Sequence, residues 1–198
     1  KETKVTTQTE AEKILNDIKK SDLTVDWVKN SVMKRNPQPP FTTSTLQQDA
    51  SRKLSYQATR TMQIAQTLYE GVNLGGKYGT IGLITYMRTD SIRLSDEFVD
   101  SAKEFIIEKY GKEYYKGVKK TGSKAKNIQD AHEAIRPTSI RRTPESVKKY
   151  LSLEEYKIYS LIYNRAVASL MSDAVLEDTK VEVVNNDLDV SKKTVLIV

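Results

Sequence analysis

The chain has 198 residues, enough for one or two domains with a buried core, and its 38% hydrophobic content is somewhat low but still that of a folded protein. It has no cysteine, which excludes disulfides, thiol catalysis and zinc ribbons, and it has no apolar run of membrane-spanning length. Its 32 Lys and Arg residues against 26 Asp and Glu give a net charge of +6, which by itself favours a nucleic-acid partner only slightly.

The first forty residues predict a helix, strands and then a linker. A capping-box pattern followed by apolar residues at helical spacing predicts a short amphipathic helix near residues 10–19. Apolar and polar residues alternate over residues 23–27, which predicts a half-buried strand, and a second strand is possible over residues 28–35. The prolines of residues 36–40 cannot continue either element and predict a stiff linker.

Beyond the linker, apolar residues recur at helical spacing. Helices are predicted near residues 45–54, between Ser55 and Gly71, between Ser95 and Gly111, from Thr143 and from Ser152. The inward stripe of the second helix is predicted to contain Ala58, Met62, Ala65 and Tyr69. On the last helix we expect three tyrosines to be core residues rather than base-stacking platforms, namely Tyr156, Tyr159 and Tyr163. The glycine-rich residues 73–79 predict a flexible loop.

A period of two returns from Asp178 to the end of the chain, with turn residues at 185–187. Strand-rich ends around a helical middle predict an α+β fold. In it, a mainly helical central domain, residues 44–172, is inserted into a small β-rich domain formed by residues 1–43 and 173–198. The chain begins without a methionine and stops inside an apolar run, so we expect it to be part of a longer protein.

The basic excess is concentrated in one region. Residues 116–149 contain ten Lys and Arg against three Asp and Glu, which accounts for the whole net charge. Basic loops are often simply solvated, so charge alone leaves two interpretations open, a solvated surface or a surface that faces phosphates. The region includes His132, the only histidine of the chain, which favours the second interpretation.

Residues 82–91, with the sequence GLITYMRTDS, are the most informative stretch, and we call them the tyrosine segment. In an extended backbone, side chains two residues apart point to the same face, so Tyr86 and Arg88 can reach one phosphate together. On a helix the same two side chains would lie about 200° apart. Joint action of the pair therefore favours an extended or irregular backbone.

A tyrosine phenol is a suitable nucleophile toward a phosphodiester. Its pKa of about 10 makes the aryl oxygen a better leaving group than a sugar alkoxide, so a phosphotyrosine link can be attacked by the freed DNA hydroxyl. Because one phosphodiester is exchanged for another, cutting and resealing need no ATP in principle.

The transition state of such a transfer gathers negative charge on the nonbridging oxygens. Arg88 offers a permanently charged fork of donors to them, although an ion pair with Asp90 is an alternative role. His132 and Arg136 could add donors to the same phosphate or to its neighbour. Pro137 would end any helix that carries His132 and Arg136, which places both near a helix end.

Two further stretches accompany the tyrosine segment: residues 39–48, PPFTTSTLQQ, here called the threonine segment, and residues 130–137, DAHEAIRP, the histidine segment. All three resemble, in order, the active-site motifs of type IA DNA topoisomerases, the bacterial topoisomerase I group. The resemblance is close from about residue 39 to residue 172.

The resemblance implies specific roles at the site. Tyr86 would form a transient bond to the 5′ phosphate of a cut single strand, Arg88 would place that phosphate, and His132 would contact DNA nearby. Thr85 and Thr89 match the family segment and are expected to contact the DNA backbone. A second strand would pass through the gap before religation.

The resemblance also implies features beyond the site. A strand-rich arch carries a mostly helical domain in this family, and hinging there opens a gate, which assigns the hinge or arch to residues 1–43 and 173–198. The family needs a separate acidic domain that binds Mg²⁺, which this sequence does not contain, so no metal and no cofactor are expected on this chain. The expected partners are single-stranded and negatively supercoiled DNA and that acidic domain, in the cytoplasm at the bacterial nucleoid, with no membrane. Alone, the chain is expected to bind DNA weakly and not to cleave it.

Three other interpretations fit parts of the sequence. Tyrosine recombinases also combine tyrosine, arginine and histidine, but their tyrosine usually follows the others, whereas Tyr86 precedes His132. Type II topoisomerases tend to have the arginine directly beside the tyrosine. In a noncatalytic DNA-binding or scaffold module, Tyr86 would be a packed hydroxyl, and a buried phenol with Arg88 pointing away would favour that reading.

Overall fold

The computed structural model describes residues 5–20, 22–118, 132–185 and 196–197. In this part of the chain, six α-helices and five β-strands confirm the predicted α+β class. In chain order they are α1 (Gln8–Lys20), β1 (Leu23–Arg35), α2 (Thr43–Leu54), α3 (Ala58–Glu70), β2 (Val72–Asn73), β3 (Thr80–Ile81), α4 (Asp96–Tyr110), α5 (Pro144–Val147), α6 (Leu153–Ala168), β4 (Ala174–Asn185) and β5 (Leu196–Ile197). None of the described helices is long and apolar enough to cross a membrane.

The chain divides into two compact units, one of residues 1–35 with 175–198 and one of residues 36–174. The sequence predicts a boundary after residue 43, eight residues later. Phe41 belongs to the second unit because its side chain is fully buried and its carbonyl accepts a hydrogen bond from the amide of Ile135 at 2.8 Å.

The first unit contains α1 and a sheet in the order β1, β4, β5. β4 and β5 are antiparallel, with Val183 opposite Leu196. β1 is one continuous strand rather than two, and the prediction that it is half-buried was wrong, since all of its described residues are exposed. Alternation along a strand shows which face is able to bury apolar groups, but burial requires a partner. Of the predicted turn at 185–187, residues 186 and 187 lie outside the described residues.

The helices of the second unit begin where the sequence supplies caps. Thr42 caps α2 and forms a reciprocal capping box with Thr45, and Ser152 does the same for α6 with Glu155. α2 ends at Leu54, and the next residue, Ser55, has a left-handed φ of 59°, as is common one residue past a helix.

The core of the second unit lies among α2, α3, α4 and α6 and the segments that precede and follow them. Its largest fully buried side chains include Phe41, Leu46, Leu68, Leu83, Ile84, Ile106, Ile135, Ile158 and Ile162. The predicted stripe of α3 is confirmed at Ala65, which is buried, and in part at Met62, which packs against the core, but it was wrong at Ala58 and Tyr69, which are exposed. The buried residues of α3 are Thr61, Ile64, Ala65 and Leu68. The face with Ile64 and Leu68 buries more aliphatic surface than the face predicted from spacing.

The tyrosines of α6 confirm the core prediction at two of three positions. Tyr159 and Tyr163 are buried, and each hydroxyl donates a 2.6 Å hydrogen bond to a backbone carbonyl, that of Arg142 and that of Ile140 respectively. Burial raises the pKa of both phenols far above the ordinary value. Tyr156 is only partly buried, with the ammonium of Lys148 5.2 Å from its ring centre.

Residues 73–79, which the sequence predicts to be a flexible loop, lie at the turn of a β-hairpin. β2 and β3 pair antiparallel, with Val72 opposite Ile81, and the amide of Leu74 donates to the carbonyl of Gly79 at 2.8 Å. A single 3-10 turn, Gly76–Tyr78, closes the hairpin. The hairpin leads the chain from the end of α3 directly into the tyrosine segment.

Candidate nucleophile site

The tyrosine segment has no helix and follows an irregular, largely extended course. Leu83, Ile84 and Met87 are buried, whereas Tyr86 is 46% exposed and Arg88 is also exposed. The two candidate catalytic side chains therefore both reach the surface, on either side of one buried methionine. This is the alternation that an extended backbone produces.

The carboxyl end of α3 holds the start of the segment. The amide of Leu83 donates to the carbonyl of Leu68 at 2.7 Å, and a Cβ at Gly82 would lie only 2.6 Å from the carbonyl oxygen of Tyr69. Only glycine permits this approach. It brings the ring of Tyr69 edge-on against that of Tyr86, with 5.3 Å between ring centres and an interplanar angle of 66°.

Thr85 joins the tyrosine segment to the histidine segment. Its amide donates to the carbonyl of Arg136 at 2.9 Å, and its hydroxyl donates to the carbonyl of Ala134 at 2.7 Å. The same hydroxyl accepts the amide of Arg136 at 3.0 Å. The Thr85 hydroxyl is thus already occupied by protein backbone, a role that spacing along the sequence does not reveal.

The described part of the histidine segment, residues 132–137, is extended rather than helical. The prediction that Pro137 ends a helix was therefore wrong: the segment pairs with neighbouring backbone, with isolated bridges from Phe41 to Ile135 and from Ile84 to Pro137. His132 is exposed and lies two residues from Ala134, whose carbonyl bonds Thr85. Two residues span at most about 7 Å, so the backbone of His132 lies near that of Thr85.

The guanidinium of Arg136 is held by protein groups. Its Nε donates to Glu133 at 2.7 Å, one terminal nitrogen donates to Ser95 Oγ at 3.1 Å, and the group lies 4.6 Å from the ring centre of Phe98. The side chain is 13% exposed. These contacts favour a bracing role for Arg136 over the predicted direct contact with phosphate.

Arg88 differs from Arg136 in having no such support. Within residues 22–118 and 132–185, no hydrogen bond or ion pair engages its side chain, and the alternative pairing with Asp90 is not formed. Arg88 is thus exposed, and its donors have no polar partner among the described residues.

The threonine segment holds the far side of the tyrosine segment. The amide of Thr43 donates to the carbonyl of Thr89 at 2.9 Å, and its hydroxyl donates to the carbonyl of Met87 at 2.8 Å. The hydroxyl of Thr89 accepts the amide of Ser91 at 3.1 Å. From the sequence Thr43 is expected to be a hinge or cap residue, and its contact with the tyrosine segment was missed, because a partner more than forty residues away leaves no local signal.

The described side chains do not form a cluster suited to a metal ion. In this part of the chain, no group of three or more His, Cys, Asp or Glu residues is arranged to hold one. Asp130, in the histidine segment, lies outside the described residues.

A family model described as DNA topoisomerase matches residues 1–197 of the chain. Among solved structures, the full-length topoisomerase I from Thermotoga maritima, determined in a monoclinic crystal form, is similar with a TM-score of 0.73 and 41% sequence identity. The match covers 94% of this chain and 29% of the Thermotoga protein, so the chain spans less than a third of that relative's length. Together these matches confirm the resemblance seen in the three segments, and the chain belongs to the type IA DNA topoisomerase family.

Proposed function

We propose that Tyr86 cleaves one strand of DNA by forming a covalent link to its 5′ phosphate. The phenolic oxygen attacks phosphorus, the bond from phosphorus to the 3′ oxygen breaks, the phenol releases a proton and the departing oxygen takes one up. Reversal of the same step, after passage of a second strand, restores the phosphodiester and changes DNA topology without ATP. The proposal is supported most directly by an exposed Tyr86 on a backbone that is hydrogen-bonded from both sides.

Arg88 is proposed to stabilise the charge that develops on the nonbridging oxygens. Its guanidinium is exposed two residues from the nucleophile, and no described residue neutralises it. A permanently charged fork suits a phosphate better than a lysine ammonium does. Electrostatic stabilisation of this kind typically lowers a barrier by about 3–4 kcal/mol.

His132 is proposed to contact the DNA backbone beside the scissile phosphate, since the Thr85 bonds bring its segment to the tyrosine segment. Thr89, whose hydroxyl accepts a local amide, retains donor capacity toward a phosphate. Thr85 and Arg136 are assigned mainly to positioning, because protein groups already occupy them.

The proposed substrate is single-stranded or negatively supercoiled DNA, which would place the protein at the nucleoid. The proposed second partner is an acidic domain of the complete topoisomerase, which would supply the Mg²⁺ site. Because the Thermotoga relative is more than three times as long as the matched region, we propose that this chain alone binds DNA weakly and does not relax it.

The test is covalent capture of labelled single-stranded DNA by the complete topoisomerase that contains this chain. Tyr86→Phe should abolish the 5′ adduct and leave DNA affinity within about twofold, since the lost hydroxyl is the attacking atom. Tyr110→Phe is the matched control, because Tyr110 is exposed to a similar degree, 43% against 46%, and should form adduct normally.

Persistence of the adduct in Tyr86→Phe would place the nucleophile elsewhere. In a second arm, the isolated chain is incubated with supercoiled plasmid and Mg²⁺, where we expect no relaxation. Efficient relaxation would show that the acidic domain is dispensable. If the chain is a noncatalytic scaffold, neither the wild-type topoisomerase nor the Tyr86→Phe variant should form an adduct. The exposure of Tyr86 argues against this alternative.

A further inference from the structure

We propose that Thr43 is the positioning residue for Arg88, a role that rests on the proposed function and adds a residue of the threonine segment to the site. A single oxygen atom, Thr43 Oγ1, bonds both peptide units that flank the Cα of Arg88. It donates to the carbonyl of Met87 at 2.8 Å and accepts the amide of Thr89 at 2.9 Å.

These two bonds determine where the Arg88 side chain starts. The Met87 carbonyl belongs to the peptide unit before Arg88, and the Thr89 amide belongs to the unit after it. The backbone rotations of a residue are the rotations between its two flanking peptide units. Fixing both units to one atom therefore fixes the direction of the Cα–Cβ bond of Arg88.

The atom that does this is itself well supported. Thr43 is the first residue of α2, directly after the Thr42 cap, and its own amide donates to the carbonyl of Thr89 at 2.9 Å. The next two turns of α2 bury Leu46 and Ala50 in the core. The hydroxyl is thus presented by a capped helix that is anchored in the second unit.

Arg88 depends on this support because its side chain has no polar partner among the described residues. No hydrogen bond or ion pair from them orients its side chain, so its guanidinium is directed only through its backbone and its rotamers. Loss of the Thr43 hydroxyl would leave the Met87 carbonyl and the Thr89 amide without that partner and would widen the range of directions open to Arg88. A misplacement of about 1 Å at a reacting centre commonly costs about 100-fold in rate.

The experiment measures single-turnover cleavage of a labelled single-stranded oligonucleotide by the complete topoisomerase, at saturating DNA. Thr43→Val keeps the branched shape and removes the hydroxyl, and it should slow cleavage about 10- to 100-fold with the Kd for the oligonucleotide within about twofold. Thr43→Ser keeps the hydroxyl and should recover most of the rate. Thr61→Val is the matched control, because Thr61 is fully buried and its hydroxyl donates at 3.1 Å to the carbonyl of Gln57, the N-cap of α3, rather than to the tyrosine segment.

To distinguish positioning of Arg88 from a merely structural role of Thr43, the cleavage rates with and without Thr43→Val are also compared in an Arg88→Lys background. A lysine ammonium acts as a point charge on a flexible stem and needs its direction fixed less closely. The loss caused by Thr43→Val should therefore shrink severalfold in that background, and an equal loss in both would overturn the proposal. A wild-type rate in Thr43→Val, or failure of Thr43→Ser to recover, would also overturn it. If the wild-type enzyme forms no adduct at Tyr86, the proposed function itself fails, which is a distinguishable result.

Discussion

Gly82 is the position where one added methyl group should disturb both the fold and the site. A Cβ there would lie 2.6 Å from the carbonyl oxygen of Tyr69, and ordinary contact begins near 3.4 Å, so the two backbones must separate by about 0.8 Å. The hydrogen bond from the amide of Leu83 to Leu68 is now 2.7 Å long and would stretch to about 3.5 Å, beyond a normal bond.

The stability change follows from three contributions. Overpacking destabilises the fold by about 1–3 kcal/mol, and the stretched hydrogen bond by about 1 kcal/mol. Alanine also reduces the conformational entropy of the unfolded chain, which offsets about 0.4–1 kcal/mol of this destabilisation. We expect Gly82→Ala to lower the free energy of unfolding by about 2 kcal/mol. Because the displaced segment carries Tyr86, adduct formation in the complete topoisomerase should fall at least about 10-fold.

Gly76→Ala is the control for this prediction. Gly76 has a φ of +52° and open space where a Cβ would lie, so alanine there costs about 1 kcal/mol of backbone strain without displacing Tyr86. Urea unfolding of the chain, followed by helical circular dichroism, gives the stability of both variants, and covalent capture gives their activity. The reasoning is refuted if Gly82→Ala matches the wild type in both assays, or if both variants lose adduct formation equally.

The remaining predictions concern the supporting core of the second unit. Asp49→Ala should destabilise the chain by about 3 kcal/mol in urea unfolding, because Asp49 and Arg165 lie 2.6 Å apart with side chains 12% and 15% exposed, and the substitution leaves a mostly buried cation. Burial alone would raise the pKa of Asp49, but hydrogen bonds from Lys53 and Arg165 outweigh it and hold the pKa below its ordinary value. The contribution of this carboxylate to the free energy of unfolding should therefore be complete above about pH 4 and be lost as the pH falls further. When unfolding is measured from pH 7 to pH 2, an Asp49→Ala variant should lack this loss of stability at low pH. Tyr163→Phe should lower the free energy of unfolding by about 1–2 kcal/mol, because it leaves a buried carbonyl without its 2.6 Å donor. Tyr156→Phe should lower it by less than about 0.5 kcal/mol. Equal losses would show that the hydrogen bond of the Tyr163 hydroxyl does not cause the destabilisation.

Local signals in the sequence predicted the helices better than they predicted burial. The capping box of Ser152 and Glu155 is complete within four residues, so it marks the start of α6 without tertiary information. The buried face of α3 depends on which neighbours the helix packs against, and spacing alone chose a face containing Tyr69, which is exposed. The strand from Leu23 to Arg35 shows the same limit, because its alternation is real but all its described residues are exposed.

The same distinction between local signals and distant partners applies to the candidate site. The spacing of Tyr86 and Arg88 is a local property, and both side chains are exposed as an extended backbone requires. The hydroxyl of Thr43 and the close approach at Gly82 involve partners far along the chain or across from it, so neither leaves a pattern in the sequence. Threonines that suggest helix caps can therefore also hold a distant segment, as Thr43 does.

In the tyrosine segment the backbone is hydrogen-bonded within the protein, whereas the side chains of Tyr86 and Arg88 are exposed. Backbone groups on both sides of Tyr86 are bonded within the protein: the amide of Thr85 donates to the carbonyl of Arg136, and the carbonyl of Met87 accepts the hydroxyl of Thr43. Ordering a free backbone costs about 1–2 kcal/mol of conformational entropy per residue. Because folding already holds residues 85–89 in place, DNA binding would avoid a cost of roughly 5–10 kcal/mol for these five residues. A DNA strand then has to order only side chains, at about 1–2 kcal/mol each. Under the proposed function the phenol of Tyr86 is the attacking group, so its removal should abolish cleavage while leaving DNA affinity nearly unchanged.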